Sequence, residues 1–161
     1  MSRPDEVIVR EAVRADLLSV FRIERTVFSD PWPYDAFERL LREPAFLVAE
    51  REPDSAIVGY VVADVTPNYG RDIGHVKDIA VRPDEQGRGF GGRLLAAGLS
   101  RLRMQGASVV KLEVRKGNER AQSLYRSHGF ETLRRVNRYY QDGEDAIVMV
   151  LDLEAWASES G

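Results

Sequence analysis

The sequence contains no cysteine and only two histidines among its 161 residues. Without cysteine the chain can form no disulfide, no thiolate metal site and no cysteine nucleophile, and two histidines make a metal site of protein ligands unexpected. It also lacks any apolar run of the length that a membrane-spanning helix needs, and its first residues, MSRPDE, lack a signal peptide's apolar core. We therefore expect a cytoplasmic protein with neither a metal nor a membrane partner.

Positive charge is also in slight deficit, with 23 basic against 26 acidic residues. No block of basic residues and no basic patch interleaved with aromatics is present, so direct nucleic-acid binding is not expected. The length suits one domain with a single core. We expect this domain to span residues 1–154 and to be followed by a frayed tail at 155–161.

Apolar periodicity predicts seven strands and four helices. The strands are predicted at 7–13, 45–49, 57–65, 76–81, 108–114, 132–140 and 146–153. The helices are predicted at 17–28, at 34–41, from the glycines near 90 to about 106, and from 118 to about 127. This order is typical of an α+β protein with one mixed, mostly antiparallel sheet and helices on both faces.

The chain is organised around residues 74–92, where an apolar strand, a polar break and a glycine-rich turn lead into a helix. The turn holds four glycines, Gly87, Gly89, Gly91 and Gly92, with Arg82, Arg88 and Arg93 around it. Glycine lets the backbone approach a ligand, and the free N–H groups of a helix N-terminus favour negative charge. The pattern predicts a pyrophosphate cradle, although a strand–turn–helix junction with glycines only for packing would look similar.

Two phosphate-binding patterns fit these glycines. Gly87, Gly89 and Gly92 match G-x-G-x-x-G, and Glu113 lies at about the distance of the ribose-binding acid of dinucleotide folds. Against this pattern, five polar residues separate the strand from the first glycine, and much of the chain precedes the motif. The other pattern, Gln86-x-x-Gly89-x-Gly91, resembles the acetyl-coenzyme A loop of the GNAT acyltransferases.

The second half of the chain carries a more specific resemblance. Residues 112–130 read L-E-V-R-x-x-N-x-x-A-x-x-L-Y-x-x-x-G-F, and residues 139–146 read Y-Y-x-D-G-E-D-A. Both resemble segments of protein N-terminal acetyltransferases. Gly74-His75-Val76 is similar to the archaeal and eukaryotic members, and the loop 28–34 with its Trp32 is similar to the bacterial RimI enzymes. The resemblance implies a GNAT fold over essentially the whole chain and transfer of acetyl from acetyl-coenzyme A (acetyl-CoA) to protein N-termini, a ribosomal protein being one expected substrate.

The resemblance also implies site residues. Glu113 would act as general base and Tyr125 as general acid. The residues expected to bind acetyl-CoA are Ile79, Ala80, Val81, Gln86, Gly87, Arg88, Gly89, Phe90, Gly91, Gly92 and Asn118. Those expected at the peptide are Trp32, Tyr34, His75, Tyr139 and Tyr140, and His75 is also a candidate second base.

From the residues alone, other interpretations stay open. Glu113 could be a surface carboxylate beside Lys111 or Arg115, Tyr125 a core aromatic, and Asn118 only a helix cap. A peptide α-amine has a pKa of about 7.7–8.0 against about 10.4 for lysine, so it needs only a modest base. For the protein as a whole, two alternatives to N-terminal acetylation stay open. One is a GNAT enzyme for lysine side chains or small amines, and the other is a non-catalytic adaptor that binds acetyl-CoA.

Overall fold

The structure is a computed structural model that describes residues 6–160. Its strands are β1 (Val7–Glu11), β2 (Ala45–Arg51), β3 (Ile57–Thr66), β4 (Asp72–Val81), β5 (Ala107–Arg115), β6 (Glu131–Val136) and β7 (Ala146–Asp152). Its α-helices are α1 (Leu17–Val27), α2 (Tyr34–Arg39), α3 (Phe90–Met104), α4 (Glu119–Ser127) and α5 (Leu153–Ser160). The expected α+β fold is confirmed, with five helices rather than four.

All seven strands form one sheet in the order β1-β2-β3-β4-β5-β7-β6. Only the central pair, β4 with β5, is parallel. A dinucleotide fold would need a largely parallel, doubly wound sheet. The topology therefore excludes the dinucleotide interpretation of the glycine motif.

The parallel pair is short, and the sheet splits beyond it. Pairing of β4 with β5 ends at His75 opposite Lys111. Immediately afterwards β4 has a bulge, because Ala63 of β3 pairs with Val76 while Val62 pairs with Asp78, which leaves Lys77 unpaired. A bulge bends its strand. From residue 76 to residue 81 the side of β4 that faces β5 has no strand partner in the described chain.

Two apolar layers hold the sheet between helices. Side chains alternate along a strand, so in β2 Phe46 and Val48 pack on the face covered by α1 and α2, while Leu47 and Ala49 pack on the face covered by α3. The α3 side is filled by Leu94, Leu95, Leu99 and Leu102. Helices therefore cover both faces of the sheet.

Several expected boundaries change, and β4 begins at Asp72 rather than at 76. Strand β1 ends at Glu11 rather than at 13, and β6 ends at Val136 rather than at 140. Two residues after the end of β6, Arg138 takes a positive φ of 52°. Residues 155–160 are not frayed but belong to α5, because Leu153 is fully buried and Trp156 packs against the core. Residues 1–5 of the expected domain and residue 161 of the expected tail lie outside the described residues. No helix in that part of the chain is long and apolar enough to cross a membrane.

Candidate active site

The glycine turn before α3 is built as a backbone cradle. Gly87 and Gly89 have φ values of 84° and 86°, and Gly89 caps α3. Among the residues described, none of the N–H groups from Gly87 to Gly92 donates a hydrogen bond. A Cβ added at Gly87 or Gly89 would meet nothing within 4 Å. Open space in front of free N–H groups at a helix N-terminus suits a phosphate group.

A cavity of about 400 Å³ lies beside this turn, and we call it the glycine half. Of the residues expected to bind acetyl-CoA, it is lined by Ile79, Ala80, Val81, Gln86, Gly87, Gly89, Phe90, Gly91, Gly92 and Asn118. The exception is Arg88, whose guanidinium lies 3.6 Å from buried Glu85, outside this cavity. The side chain of Gln86 is occupied, since its Nε2 donates to the Val81 carbonyl and its Oε1 accepts from Arg120. Gln86 thus shapes the loop and leaves ligand contacts to the backbone.

A second cavity of about 470 Å³, the acidic half, continues the first. Carboxylates at its wall come from Glu24, Asp30, Asp78 and Glu113. Both halves are lined by Val27, Phe28, Ile79, Asn118, Ala121 and Tyr125. Together they form one cleft along the split between β4 and β5. Within residues 6–160 no three metal-binding side chains are grouped so that they could hold a metal ion.

Glu113 and His75 form a pair at the point where the parallel strands separate. The His75 Nε2 lies 2.7 Å from the Glu113 Oε1, and the Glu113 side chain is only 14% exposed. The hydrogen bond from His75 lowers the pKa of Glu113, against the opposing effect of burial. Glu113 is therefore an ionised carboxylate at neutral pH, not a freely solvated surface acid.

Tyr125 lies where the two halves meet and is 6% exposed. Burial raises the pKa of its phenol, with smaller contributions from Asp78 and Tyr140. Its backbone is fixed at the end of α4, because Phe130 N donates to the Tyr125 carbonyl at 3.1 Å and Gly129 takes a φ of 100°. The hydroxyl makes no hydrogen bond with any residue that the structure describes, so it remains free to donate.

Asn118 begins the helix that carries Tyr125. Its Oδ1 accepts a hydrogen bond from Ala121 N at 3.1 Å, as expected for an N-cap. Because Asn118 also lines both halves of the cleft, the cap and the cleft wall are the same residue.

The aromatic residues expected at the peptide divide into two groups. Trp32 and Tyr140 line the acidic half, and Tyr139 stacks edge-on against Tyr140 with 50% exposure. Tyr34 does not line either half, because its ring packs against Phe21 of α1 at 5.9 Å. The assignment of Tyr34 to the peptide site is therefore not supported.

Arg115 is a cleft residue that the sequence did not indicate. Its guanidinium lies 4.1 Å from the centre of the Tyr140 ring. The same group is bonded to Asp142 and Glu144 of the turn that follows. Arg115 therefore fixes the loop that brings Tyr140 to the acidic half.

The structure also brings together Glu24, Tyr60 and Asp78, which no motif singled out. The Tyr60 hydroxyl donates to Glu24 and lies 3.4 Å from Asp78. Burial, followed by the interaction with Glu24, raises the pKa of Asp78 well above its ordinary range. A signal was present, because Glu24 falls on the apolar stripe of α1 with Val20 and Val27.

A seven-stranded mixed sheet that splits beside a glycine-rich helix start is the architecture expected from the resemblance to GNAT acetyltransferases. Residues 14–130 match the acetyltransferase (GNAT) family, and the chain belongs to that family. It is 36% identical over 154 residues to the N-alpha-acetyltransferase RimI of Mycobacterium tuberculosis, covering 92% of this chain and 94% of the relative. It is 33% identical over 159 residues to an N-alpha-acetyltransferase of Sulfurisphaera tokodaii, with the same coverage.

A solved structure agrees with these relatives. The ribosomal-protein-S18-alanine N-acetyltransferase of Escherichia coli superposes with a TM-score of 0.76 at 27% identity, covering 92% of this chain and 94% of that one. The expected resemblance to RimI-type N-acetyltransferases is thus confirmed, and the protein is an N-acetyltransferase.

Proposed function

We propose that this protein transfers the acetyl group of acetyl-CoA to the α-amino group of protein N-termini. The observation that carries the proposal is the two-part cleft, in which an anion cradle and an ionised carboxylate lie on opposite sides of Tyr125. The relatives from M. tuberculosis and S. tokodaii are N-alpha-acetyltransferases, which supports an α-amine as acceptor. The relative from E. coli supports a ribosomal protein as one substrate.

The glycine half suits acetyl-CoA. Its cradle of free N–H groups would hold the pyrophosphate, and the unpaired side of β4 at residues 79–81 would pair with the amides of the pantetheine arm as an added strand does. Bound there, acetyl-CoA supplies the acetyl group as a thioester. Asn118 lines this path with an amide whose Nδ2 is not used by the cap.

Glu113 is the proposed proton acceptor. About a tenth of peptide α-amines are neutral at pH 7, so a carboxylate of low pKa is an adequate base for them, directly or through one water. As the amine nitrogen bonds to the acetyl carbon, Glu113 takes the amine proton and becomes neutral, and the hydrogen bond with His75 holds the carboxyl group in position. A lysine amine, with a pKa of about 10.4, would need a stronger base.

Tyr125 is the proposed donor to the leaving sulfur. Because burial raises its pKa, the hydroxyl keeps its proton at neutral pH and can donate a hydrogen bond as the carbon–sulfur bond breaks. A lasting tyrosinate would be unfavourable in this buried place, so a solvent proton replaces any that Tyr125 gives up.

One assay tests the function, using acetyl-CoA and a peptide with both a free α-amine and an internal lysine. Fragment mass spectrometry would locate the acetyl group. We expect it on the α-amine alone. Acetyl on the lysine would move the function to side-chain acylation, and tight binding of acetyl-CoA without transfer would favour the adaptor alternative.

The role of Glu113 has its own test. We expect Glu113→Gln to lower kcat by about 10²-fold or more, the usual contribution of general-base catalysis. Binding of coenzyme A should stay unchanged, because Glu113 does not line the glycine half. Glu131→Gln, an exposed glutamate of the edge strand β6, is the control. An unchanged rate and pH profile in Glu113→Gln would remove Glu113 from the mechanism.

A further inference from the structure

Glu24 is buried in the wall of the acidic half, with 2% of its surface exposed. Its Oε1 accepts the Tyr60 hydroxyl of β3, and its Oε2 accepts the backbone N–H of Trp32 at 2.8 Å. Asp78 of β4 lies 3.4 Å from the same Tyr60 hydroxyl. A buried carboxylate is costly unless it is well bonded, and here one carboxylate of α1 is bonded both to β3 and to the loop that carries Trp32.

Asp78 lies beside this carboxylate, since the Tyr60 hydroxyl that donates to Glu24 is also 3.4 Å from the Asp78 Oδ2. Burial, followed by the interaction with Glu24, raises the pKa of Asp78 well above its ordinary value, which favours a proton on Asp78. The Tyr60 hydroxyl has a single hydrogen, and the shorter of its two contacts is the one with Glu24.

No bound cation is needed to neutralise this cluster. The other charged or titratable groups around the acidic half come from β4, β5, α4, the loop after α1 and the loop before β7, and they are Lys77, Glu113, Arg115, Tyr125, Asp30 and Tyr140. Both cations are already paired, Lys77 with Asp64 at 2.9 Å and Arg115 with Glu144 at 2.9 Å. The proton on Asp78 is therefore what allows Glu24 and Asp78 to lie side by side.

The cluster connects two walls of the peptide end of the cleft. Trp32 belongs to the loop between α1 and α2, and Asp78 lies between the β4 bulge and Ile79. We propose that Glu24 is a positioning residue that anchors the Trp32 loop to the sheet through the Tyr60 hydroxyl and so controls affinity for the peptide rather than for acetyl-CoA. This inference rests on the proposed function, because it assigns the acidic half to the peptide.

The first experiment compares Glu24→Ala with a control variant, Glu38→Ala. The control removes a solvent-exposed ion pair between Glu38 of α2 and Arg14. In Glu24→Ala we expect the KM for peptide to rise at least about tenfold, as for loss of a hydrogen bond to a buried charge, while the KM for acetyl-CoA changes less than about threefold. Exchange of the Trp32 amide hydrogen, followed by NMR, should quicken at least about tenfold. Glu38→Ala should change none of these quantities.

A folded Glu24→Ala protein with unchanged peptide KM, or with unchanged Trp32 exchange, would overturn the proposal. If that variant does not fold, Glu24→Gln keeps the volume but offers one acceptor oxygen to two donors, the Tyr60 hydroxyl and the Trp32 amide. It should raise both quantities at least about threefold, and wild-type values would overturn the proposal.

The pH dependence gives a readout that simple packing would not change. Raising the pH removes the proton of Asp78, and two adjacent carboxylates then repel each other. The peptide KM of the wild type should therefore rise as alkaline pH removes this proton, and that of Asp78→Asn, whose side chain is neutral at every pH, should rise less. Parallel pH profiles of the wild type and Asp78→Asn would refute the anchoring.

The amide-exchange measurement is independent of the proposed function, because it needs no substrate. Faster Trp32 exchange in Glu24→Ala would support the anchor even if the wild type acetylated no α-amine.

Discussion

Replacing Gly89 by alanine tests whether the turn before α3 binds its ligand through bare backbone. Gly89 has a φ of 86°, and an added Cβ would meet nothing within 4 Å, so the free protein loses no packing. The left-handed conformation costs a residue with a Cβ about 1–2 kcal/mol, and reduced freedom of the unfolded chain returns about 0.4–1 kcal/mol. We expect a net loss of about 1 kcal/mol, or about 2–4 °C in Tm.

Gly70 supplies the matched control. It lies in the loop between β3 and β4 with a φ of 83°, has equally open space at its Cβ position, and lines neither half of the cleft. Gly70→Ala should therefore lower Tm by the same amount as Gly89→Ala. Only Gly89→Ala should weaken the binding of acetyl-CoA, because its methyl group occupies the cradle. We expect the Kd measured by calorimetry to rise at least about tenfold. Equal affinities in the two variants would refute the cradle.

Two further predictions concern stability. Asp16 is buried, but its hydrogen bonds from Arg10 and Val13 outweigh burial and lower its pKa below 3.8. Asp16→Asn should therefore lower the free energy of unfolding by about 1.5–3 kcal/mol at pH 7, and this deficit should shrink as the pH falls through and below about 3.8. A deficit in urea unfolding that stays constant from about pH 7 to pH 3 would contradict this assignment. Leu153→Ala should cost about 2–5 kcal/mol in thermal unfolding, and Glu154→Ala, exposed one residue later, less than about 0.5 kcal/mol. Equal losses would mean that α5 does not pack as described.

Regular elements were predictable where periodicity was strong. The apolar run at 76–81 and the leucine stripe of α3 needed no tertiary information. Helix α5 was missed because only Leu153 and Trp156 mark its apolar face in an otherwise polar and small-residue tail. Strand β6 was extended too far because Tyr139 and Tyr140 favour strands, whereas a positive φ at Arg138 turns the chain before them.

The site was predictable where a motif fixed local geometry and unpredictable where distant segments meet. The glycine turn and the Asn118 cap depend on neighbours in sequence, so their geometry followed from spacing. Pairing of Glu113 with His75 depends on where β4 and β5 separate, which is next to a one-residue bulge in β4. Glu24 and Asp78 each stand out as acids among apolar residues, but only the tertiary fold makes them partners.

The split sheet has a consequence for how this surface tolerates mutation. From residue 76 to residue 81, β4 presents main-chain N–H and C=O groups that no strand of the described chain pairs on the β5 side. Every residue except proline carries the same two groups. Exchanges among apolar side chains at Ile79 or Val81 therefore leave this interior edge chemically intact, whereas proline at either position removes a donor. Apolar side chains along this stretch can therefore be exchanged during evolution while the main-chain hydrogen-bonding groups offered to a ligand stay the same.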